Sequence, residues 1–451
     1  MKRKSLLFLL VFLLAFLFSG CSAMFLDAGN LMSPPGATGT RQEIQNALKT
    51  VAGDELNLCY PESGAYRSAI ITVSDFTGSR KNDVVAFYYN PETGENVNVA
   101  FLTQTDGEKW KVVFQKEKAF SLVDRVSFSD FDGDGVDEIL IGWGSPIGQK
   151  SDICIYDYSD GKMAEIDLEL PYNELAVGDF TSDSSSELLL ISLAKTESGG
   201  ENGETLSVVS PAQASMYDLF GGKIRCLSQI ELDPSVIRYS LVTVAEVYSG
   251  KTACALDCAT VNSRTLTQIL YFKNAQEGLS LFPALSEELP NETERSAAYL
   301  FSKDVNGDGF LEIPTQYYLP SAYESYNNEI SPLDIVVSWK RFDAENEQLL
   351  LVSREIIKGR DGYSVSLPIG WEDKVCIYVG DNMLTLYEWD GVEHGEMIYQ
   401  IVCVDRTELE TLYNKYEILY NDGGKYYAVL FGNSSFGMDL PTLKEYFSLI
   451  S

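Results

Sequence analysis

Histidine is almost absent from this sequence of 451 residues, which contains only His394. A Ser-His-Asp or Cys-His catalytic arrangement needs a base that a third group orients, and the surrounding stretch DGVEHGE supplies no such motif. Zinc sites draw mainly on cysteine and histidine, and the close pair Cys254 and Cys258 has no histidine nearby in the sequence. Phosphate-binding loops and dinucleotide-binding fingerprints are also missing. We therefore expect a protein that is not an enzyme of these classes.

Basic residues are scarce as well. The chain has 34 Lys and Arg against 66 Asp and Glu, a formal net charge of −32. Such an acidic surface repels nucleic acid and attracts cations or basic partners, although acidity also serves solubility. We expect no nucleic-acid partner.

The cysteine pattern does not indicate a disulfide scaffold. The chain has eight cysteines, and those after Cys21 are scattered, mostly inside apolar runs such as DICIY and VCIYV. A chain of this length can bury a sizeable core without disulfide bonds. Buried free thiols are the expected state.

The N-terminus lacks an apolar run long enough to span a bilayer as a helix. A basic stub, MKRK, precedes the apolar run Leu6 to Phe18, and Ser19 and Gly20 lead into Cys21. This pattern resembles a bacterial lipobox, although Phe18 stands where that pattern prefers leucine. The resemblance implies that residues 1–20 are a cleaved signal peptide and that Cys21 carries the lipid. The mature chain would then be anchored to the cell membrane on its extracytoplasmic face. The alternative is an ordinary signal peptide with an incidental cysteine.

One unit recurs after a short predicted helix that begins at Thr40. It starts at Asp75 (DFTGSRKNDVVAFYY), Asp130 (DFDGDGVDEILIGW), Asp179 (DFTSDSSSELLLIS) and Asp304 (DVNGDGFLEIPTQYY). In each copy an acid follows eight residues later, directly before an apolar run; these acids are Asp83, Glu138, Glu187 and Glu312. A degenerate copy, EVYSGKTACALD from Glu246, has Cys254 at that position. Repeats about 50 residues apart with several strands each indicate β-propeller blades.

The loop D-F-x-G-D-G-x-x-[DE] leading into a strand resembles the FG-GAP or VCBS-type repeat of integrin-α-like propellers. The similarity covers about residues 58 to 345, and the whole chain resembles bacterial lipoproteins that carry these repeats. The resemblance implies a mainly β fold with a propeller-like domain of five to seven blades.

The loops at 130 and 304 have the composition of calcium sites, because calcium binds six to eight oxygens that a tight loop can supply from alternate positions. The predicted ligands are Asp130, Asp132, Asp134, the Val136 carbonyl and Glu138 in one loop, and Asp304, Asn306, Asp308, the Phe310 carbonyl and Glu312 in the other. Asp137 could replace or supplement Glu138. An EF-hand is excluded, because its twelfth position would be Ile141 or Thr315 rather than an acid.

The other two loops are weaker candidates. The third has Asp179, Thr181, Asp183 and Glu187, but Ser184 replaces the turn glycine, and the loop at 75 has fewer acids and adjacent basic residues. For all four loops the alternative is a metal-free Asx-type turn that organises the chain before a strand. Where calcium binds, we expect it to be structural, since a closed loop leaves little room for substrate.

The function expected from these features is recognition or scaffolding at the cell envelope, without catalysis. The partners would be the membrane, through the N-terminal lipid, and an envelope protein or glycan. A candidate ligand patch comprises Tyr317, Tyr318, Tyr323 and Tyr326, since tyrosine can stack on a sugar or peptide; the alternative is an aromatic strand followed by a solvated loop. The alternative function is a surface hydrolase acting on glycan or another envelope polymer, which would need two acids facing one cleft.

Four segments are predicted along the chain: the signal peptide (1–20), a tether (21–39), the helix plus propeller-like domain (40–362), and a C-terminal α+β domain (363–451). In the last segment we expect four strands, a helix over TELETLYNKY, the strand KYYAVLFG and a terminal helix over LPTLKEYFSLIS.

Overall fold

The computed structural model describes residues 39–450, apart from 74, 80, 91–93, 106–108, 145–151, 200–204, 249, 287–290, 298, 323–333 and 413–414. The predicted signal peptide, Cys21, the tether up to residue 38, Tyr323 and Tyr326 lie outside the described residues. Among the helices of the described part, none is both long and apolar enough to cross a membrane.

The chain divides into two compact units, the first of which contains residues up to Tyr60 and Ser68–Ser121. This unit has one helix, α1 (Thr40–Ala52), and the antiparallel sheet β1 (Ile70–Val73), β2 (Asp83–Tyr89), β3 (Val97–Gln104) and β4 (Trp110–Lys118). The apolar residues Ile44, Leu48 and Ala52 recur at helical spacing, so they share one face of α1, and this face is buried against the sheet.

The second unit contains Pro61–Arg67 and Leu122–Ser451. Its first sheet is β5 (Leu122–Ser129), β6 (Glu138–Gly144), β7 (Asp152–Ser159) and β8 (Lys162–Asp167). The next is built from β9 (Glu174–Gly178), β10 (Glu187–Ser192), β13 (Gln213–Phe220) and β14 (Lys223–Glu231), with the two-stranded ribbon β11 (Lys195–Gly199) and β12 (Thr205–Ser210) inserted between β10 and β13. A third comprises β15 (Val236–Val247), β16 (Lys251–Thr260), β17 (Thr265–Asn274) and β18 (Gly278–Phe282).

Two five-stranded sheets follow in the same unit. One has β19 (Glu312–Tyr317), β20 (Asp334–Asp343), β21 (Gln348–Lys358), β22 (Tyr363–Leu367) and the last strand, β28 (Phe447–Leu449). The other has β23 (Val375–Val379), β24 (Met383–Trp389), β25 (His394–Val404), β26 (Glu417–Asp422) and β27 (Lys425–Phe431). Two helices, α2 (Arg406–Leu412) and α3 (Leu440–Tyr446), accompany them.

Successive sheets of the second unit pack face to face through apolar side chains. Leu189 and Met216 of one sheet share a buried cluster with Leu256 and Leu270 of the next. Phe342 of β20 packs in the same way against strands of the preceding sheet. Four-stranded antiparallel sheets stacked by their faces are the arrangement of propeller blades. The fold is mainly β, a propeller-like repeat domain with a small C-terminal α+β region, as predicted.

Three details of the sequence interpretation were wrong. The predicted terminal helix ends at Tyr446, and the remaining residues form β28, which pairs with β22. The strand β26 was missed because its burial pattern is mostly exposed, so it carries little hydrophobic periodicity. The degenerate copy at Glu246 is not a nine-residue loop but a short connection between β15 and β16, and Cys254 lies inside β16.

The division into a propeller and a C-terminal domain after residue 362 stays a prediction. β22 begins at that point, and it pairs with β21 on one side and with β28 on the other. One sheet therefore continues across the predicted boundary.

Candidate metal centre

Each of the four repeat loops ends in an acid that begins a strand, as the eight-residue spacing predicted. These closing acids are Asp83 of β2, Glu138 of β6, Glu187 of β10 and Glu312 of β19, and all are buried. Burying a carboxylate is costly unless hydrogen bonds or opposite charge compensate it. The four loops differ in how this compensation is achieved.

The loop at 130 is closed by its first aspartate. Gly133 N donates to Asp130 Oδ1 at 2.6 Å, and Gly135 N donates to Asp130 Oδ2 at 2.9 Å. Both glycines have positive φ, 79° and 86°, a conformation that other L-residues adopt only with strain. The two glycines thus allow one carboxylate to accept hydrogen bonds from the inner side of the loop.

Glu138 turns its carboxylate back into this loop. It is 2% exposed, and its Oε2 accepts a hydrogen bond from Phe131 N at 2.7 Å. Burial, together with the negative charges of Asp132, Asp157 and Asp130, raises the pKa of Glu138 to about 8. Burial and the neighbouring acids also raise the pKa of Asp132. A cation in this loop would remove the repulsion that opposes ionisation.

Oxygen atoms from Asp130, Asp132 and Glu138 lie within 4.8 Å of one another. The hydrogen bonds described for these carboxylates all come from backbone N–H groups. Carboxylate oxygens of this number and spacing suit a hard divalent cation. Asp134 is not part of this cluster; its Oδ1 accepts a hydrogen bond from Val136 N at 2.8 Å. Asp134 and the Val136 carbonyl as ligands therefore stay predictions.

The loop at 179 repeats this arrangement. Oxygens of Asp179, Asp183 and Glu187 also lie within 4.8 Å of one another. Thr181 Oγ1 donates to Glu187 Oε1 at 2.8 Å, so Thr181 lies beside this cluster. Thr181 as a ligand stays a prediction. Ser184 N donates to Asp179 Oδ2 at 3.0 Å, as Gly135 N does to Asp130 in the loop at 130. The missing turn glycine therefore does not prevent the loop from closing.

Two serines of this loop adopt a backbone conformation that is typical of glycine. Ser182 has φ 62° and Ser184 has φ 76°, in the left-handed region that costs an ordinary L-residue roughly 1–2 kcal/mol. The surrounding hydrogen bonds must supply this energy.

The loops at 130 and 179 are neighbours within the second unit. Ser186 N donates to the Asp130 carbonyl at 2.7 Å, and the hydroxyls of Ser129 and Ser186 are 2.6 Å apart. Two loops that carry acidic clusters are therefore joined by hydrogen bonds.

The loop at 304 has a different environment. Arg341 of β20 donates from Nη2 to Asp308 Oδ2 at 2.5 Å and to Glu312 Oε1 at 2.7 Å. Asp304 accepts hydrogen bonds from the backbone of Gly309 and Gly307, and these lower its pKa despite the opposing effect of desolvation. Asn306 Nδ2 donates to Asp308 Oδ2 at 2.9 Å. Two of the predicted ligands, Asp308 and Glu312, are thus held by a guanidinium group. Asp304, Asn306 and the Phe310 carbonyl as ligands stay predictions.

The loop at 75 donates hydrogen bonds to one oxygen of its closing acid. Asp83 Oδ2 accepts from Phe76 N, Thr77 N and Thr77 Oγ1 at 3.0, 2.9 and 2.8 Å. Asp83 Oδ1 is buried and accepts no hydrogen bond from the described residues. The metal-free Asx-type turn at this loop stays a prediction.

One acidic cluster was not anticipated from the sequence. Ligand atoms of Cys154, Glu165 and Asp167 lie within 4.8 Å of one another on β7 and β8. Cys154 pairs directly with Asp167 across the hairpin. Only the strand register brings them together, so no spacing rule in the sequence could have found them.

A cleft of about 600 Å³ borders the loop at 179. Thr181, Asp183 and Glu187 line one side, and Lys251 and Lys273 line the other. Lys273 is paired with Glu277 and Glu347, whereas Lys251 Nζ donates to the Lys273 carbonyl at 3.1 Å.

The two described tyrosines of the predicted ligand patch differ in environment. Tyr317 is partly buried, and the Arg354 guanidinium lies over its ring at 3.9 Å. Tyr318 is 74% exposed. The patch as a whole stays a prediction, because Tyr323 and Tyr326 lie outside the described residues.

The chain matches no protein-family profile and no curated protein sequence. Solved structures similar to it include the rhamnogalacturonan lyase PL11 of Bacillus licheniformis, with 12% identity, a TM-score of 0.32, and coverage of 83% of this chain and 90% of that one. The exotype rhamnogalacturonan lyase YesX matches with 14% identity and a TM-score of 0.32, covering 75% of this chain and 73% of that one. The Dos1 propeller matches with 10% identity and a TM-score of 0.30, covering 83% of this chain and 81% of that one. At these identities the likeness concerns the fold alone.

Proposed function

We propose that this chain is a metal-stabilised recognition or scaffolding module, with FG-GAP or VCBS-type repeats, held at the cell envelope by an N-terminal lipid on Cys21. The observation that supports a metal site is that oxygens of Asp130, Asp132 and Glu138 lie within 4.8 Å of one another. The ion that fits best is calcium, because the donors are all hard oxygens and the flexible coordination geometry of calcium also accepts backbone carbonyls and water. The cluster at 179 is proposed as a second calcium site.

The role proposed for calcium is structural. The candidate ligands come from a single closed loop whose last acid begins a core strand, so a bound ion would fix the start of that strand. Calcium sites in extracellular modules are typically weak, with dissociation constants of about 10⁻⁴ to 10⁻³ M. The calcium concentration outside the cell would then be sufficient to stabilise the fold.

Thermal unfolding tests this proposal. Calcium should raise the melting temperature of the wild-type protein above its value in chelator, and Asp132→Asn should reduce this increase, because one of the clustered carboxylates loses its charge. The matched control is Asp390→Asn. Asp390 also accepts hydrogen bonds from the backbone of its own turn, from Val392 N and Glu393 N, but it belongs to none of the acidic clusters identified among the described residues. Equal melting temperatures of wild type in calcium and in chelator would refute structural calcium.

The proposed recognition surface is the cleft beside the loop at 179. It combines a candidate metal loop with the basic side chains of Lys251, Lys273 and Arg225, so it offers both signs of charge to a polar ligand. Screening the purified protein against envelope glycans and peptides, with Lys251→Glu as the altered form, tests this assignment. A ligand that binds both proteins equally would place recognition elsewhere, for example at Tyr318.

Membrane anchoring has a separate test. Cys21→Ser should abolish incorporation of labelled fatty acid and shift the protein from the detergent phase to the aqueous phase. Unchanged partitioning would contradict lipid attachment at this cysteine.

The alternative, a surface hydrolase acting on glycan or another polymer, derives from the acids Asp183, Glu187 and Asp218 in the same cleft. Asp218 is paired with Arg225, and the other two belong to the metal cluster. We therefore favour binding without catalysis. Polymer cleavage that is lost in Asp218→Asn, with folding and metal binding retained, would favour the hydrolase instead.

A further inference from the structure

The strand after each repeat loop pairs with a neighbour that places one particular residue beside the closing acid. Glu312 of β19 pairs directly with Arg341 of β20. Ile139 pairs with Tyr156, so the adjacent position sets Glu138 of β6 beside Asp157 of β7. This cross-strand residue is therefore basic at one loop and acidic at another.

At the loop at 304, the cross-strand residue acts as a cation. Besides its bonds from Nη2, Arg341 donates from Nε to Glu312 Oε1 at 3.2 Å. Its guanidinium also lies over the Phe310 ring at 4.6 Å, and its side chain is only 15% exposed. The buried carboxylate of Glu312 thus already has a fixed positive partner, and the same guanidinium holds Asp308. A metal ion would have to compete for these oxygens.

At the loop at 130, the same position has the opposite charge. Asp157 adds to the negative potential at Glu138 and Asp132, since its charge raises the pKa of both. The loop at 179 is intermediate. Leu188 pairs with Tyr217, so Glu187 lies beside Asp218, whose charge is balanced by Arg225.

The positions of the acidic clusters agree with the charge of the cross-strand residue. Within the described residues, ligand atoms converge within 4.8 Å at the loops of 130 and 179, and the residues at 304 do not form such a group. The sequence ranked the loops at 130 and 304 together because both keep the glycines and alternate polar residues. The difference between them lies in the neighbouring strand, not in the loop.

We propose that the cross-strand residue decides whether a repeat loop takes a metal ion, and that Arg341 replaces calcium at the loop at 304. The inference rests on the proposed function and deepens it, since it assigns the calcium sites to the loops at 130 and 179. The sheet that begins with β19 would then be independent of metal. The physical reason is charge balance: a buried acid needs one compensating cation, and here a guanidinium that donates two hydrogen bonds to Oε1 of Glu312 supplies it.

Arg341→Met tests the proposal by removing this cation while keeping an apolar stem of similar length. The variant should melt several degrees below wild type in chelator, and calcium should restore most of the loss. Calorimetric titration should find one more bound calcium ion per chain than in wild type. If Arg341→Met gains neither a calcium site nor calcium-dependent stability, the proposal is overturned, whether or not wild type binds calcium at other loops.

Arg354→Met is the matched control. Arg354 is similarly buried, lies over the ring of Tyr317, and pairs with Glu372 at 3.5 Å, but it contacts no repeat loop in the interactions described. Its loss of stability should be the same in calcium and in chelator. A calcium response in this variant equal to that of Arg341→Met would show a general effect of calcium on weakened protein, and would also overturn the proposal.

The reciprocal variant, Asp157→Arg, tests the same proposal if Arg341→Met does not fold. It should make the loop at 130 resistant to chelator and remove one calcium site. Wild-type calcium binding retained in full by Asp157→Arg counts against the proposal. Failure of the proposed function has a different signature, namely wild-type protein that binds no calcium.

Discussion

Replacing Arg295 with methionine is expected to lower the free energy of unfolding by about 3 to 5 kcal/mol, the cost of leaving one member of a buried ion pair without its partner. Arg295 and Asp257 are both fully buried, and Arg295 Nη2 lies 2.7 Å from Asp257 Oδ1. Without the guanidinium, the carboxylate keeps only neutral donors. These are Thr267 Oγ1 at 2.6 Å and Ser302, through N at 2.7 Å and Oγ at 3.1 Å.

The loss should fall toward the upper end of this range because the guanidinium also satisfies buried carbonyl groups. It donates to the Leu300 carbonyl from Nε at 3.0 Å and Nη2 at 2.8 Å, and to the Thr293 carbonyl at 3.0 Å. An unsatisfied buried polar group costs about 1 to 3 kcal/mol. These contacts connect β16 and β17 with the segment before β19, so the change should weaken the connection between two sheets.

Burial lowers the pKa of Arg295 despite the opposing attraction of Asp257. Desolvation is therefore the larger of the two effects on this pKa, as expected for a charge buried in the core. The double variant Asp257→Asn with Arg295→Met should consequently recover a substantial part of the loss, because no uncompensated charge then remains in the core.

Urea unfolding in saturating calcium is the appropriate assay, since the loop sites then contribute equally to every variant. The matched control is Arg360→Met, which removes the same charge from an exposed pair with Asp381 at 2.8 Å. A surface pair of this kind contributes about 0 to 1 kcal/mol. The reasoning is refuted if Arg295→Met costs no more than Arg360→Met, or if the double variant is as unstable as the single one.

Three further predictions concern the loops, and a fourth concerns one close backbone contact. Calcium affinity should rise about tenfold per pH unit up to about 8, since burial raises the pKa of Glu138 to about 8 and the metal binds the ionised carboxylate; titration calorimetry that finds no dependence on pH would contradict this. In chelator the same raised pKa should make stability fall as pH rises from about 4.5 through about 8, because the protonated acid is favoured in the fold and its contribution is fully present only below its ordinary pKa; thermal melts over this range check it. Ser184→Gly should stabilise the protein by up to about 1 kcal/mol in urea unfolding, since glycine adopts a positive φ without strain but has more freedom when unfolded. Gly432→Ala should lower the melting temperature markedly, because the new Cβ would lie 1.7 Å from the Met397 carbonyl oxygen, whereas Gly380→Ala meets only ordinary contacts and should be tolerated.

The eight-residue spacing predicted the strand starts correctly because it reflects a local constraint. A loop that must close on its first aspartate and then deliver an acid to the start of a strand has nearly fixed length. The spacing of Asp130 and Glu138 therefore predicts the start of β6 from the sequence alone. The same spacing predicts the starts of β2, β10 and β19. Local hydrogen bonds within nine residues are enough to define this feature.

The electrostatic environment of the loops could not be predicted in this way. Arg341 lies 29 residues after Glu312, and the separation differs in other repeats because hairpin lengths vary and the ribbon of β11 and β12 is inserted between β10 and β13. Only the register of the strands identifies the partner of a closing acid. The same limit hid Arg295, which is an unremarkable basic residue in the sequence and a fully buried one in the fold.

Compensation of buried acids explains how one repeat can diverge without loss of the fold. The strand after each loop begins with a carboxylate in the protein interior, and the fold requires that this charge be balanced, not that it be balanced by metal. Backbone and hydroxyl donors bind one oxygen of Asp83, and a guanidinium pairs with Glu312. Within the described residues, Asp130, Asp132 and Glu138 accept hydrogen bonds from backbone donors alone. On the proposed assignment, a substitution on the neighbouring strand would change the metal requirement of a loop while the loop sequence itself is retained. For this reason the loop signature predicts architecture more reliably than it predicts calcium.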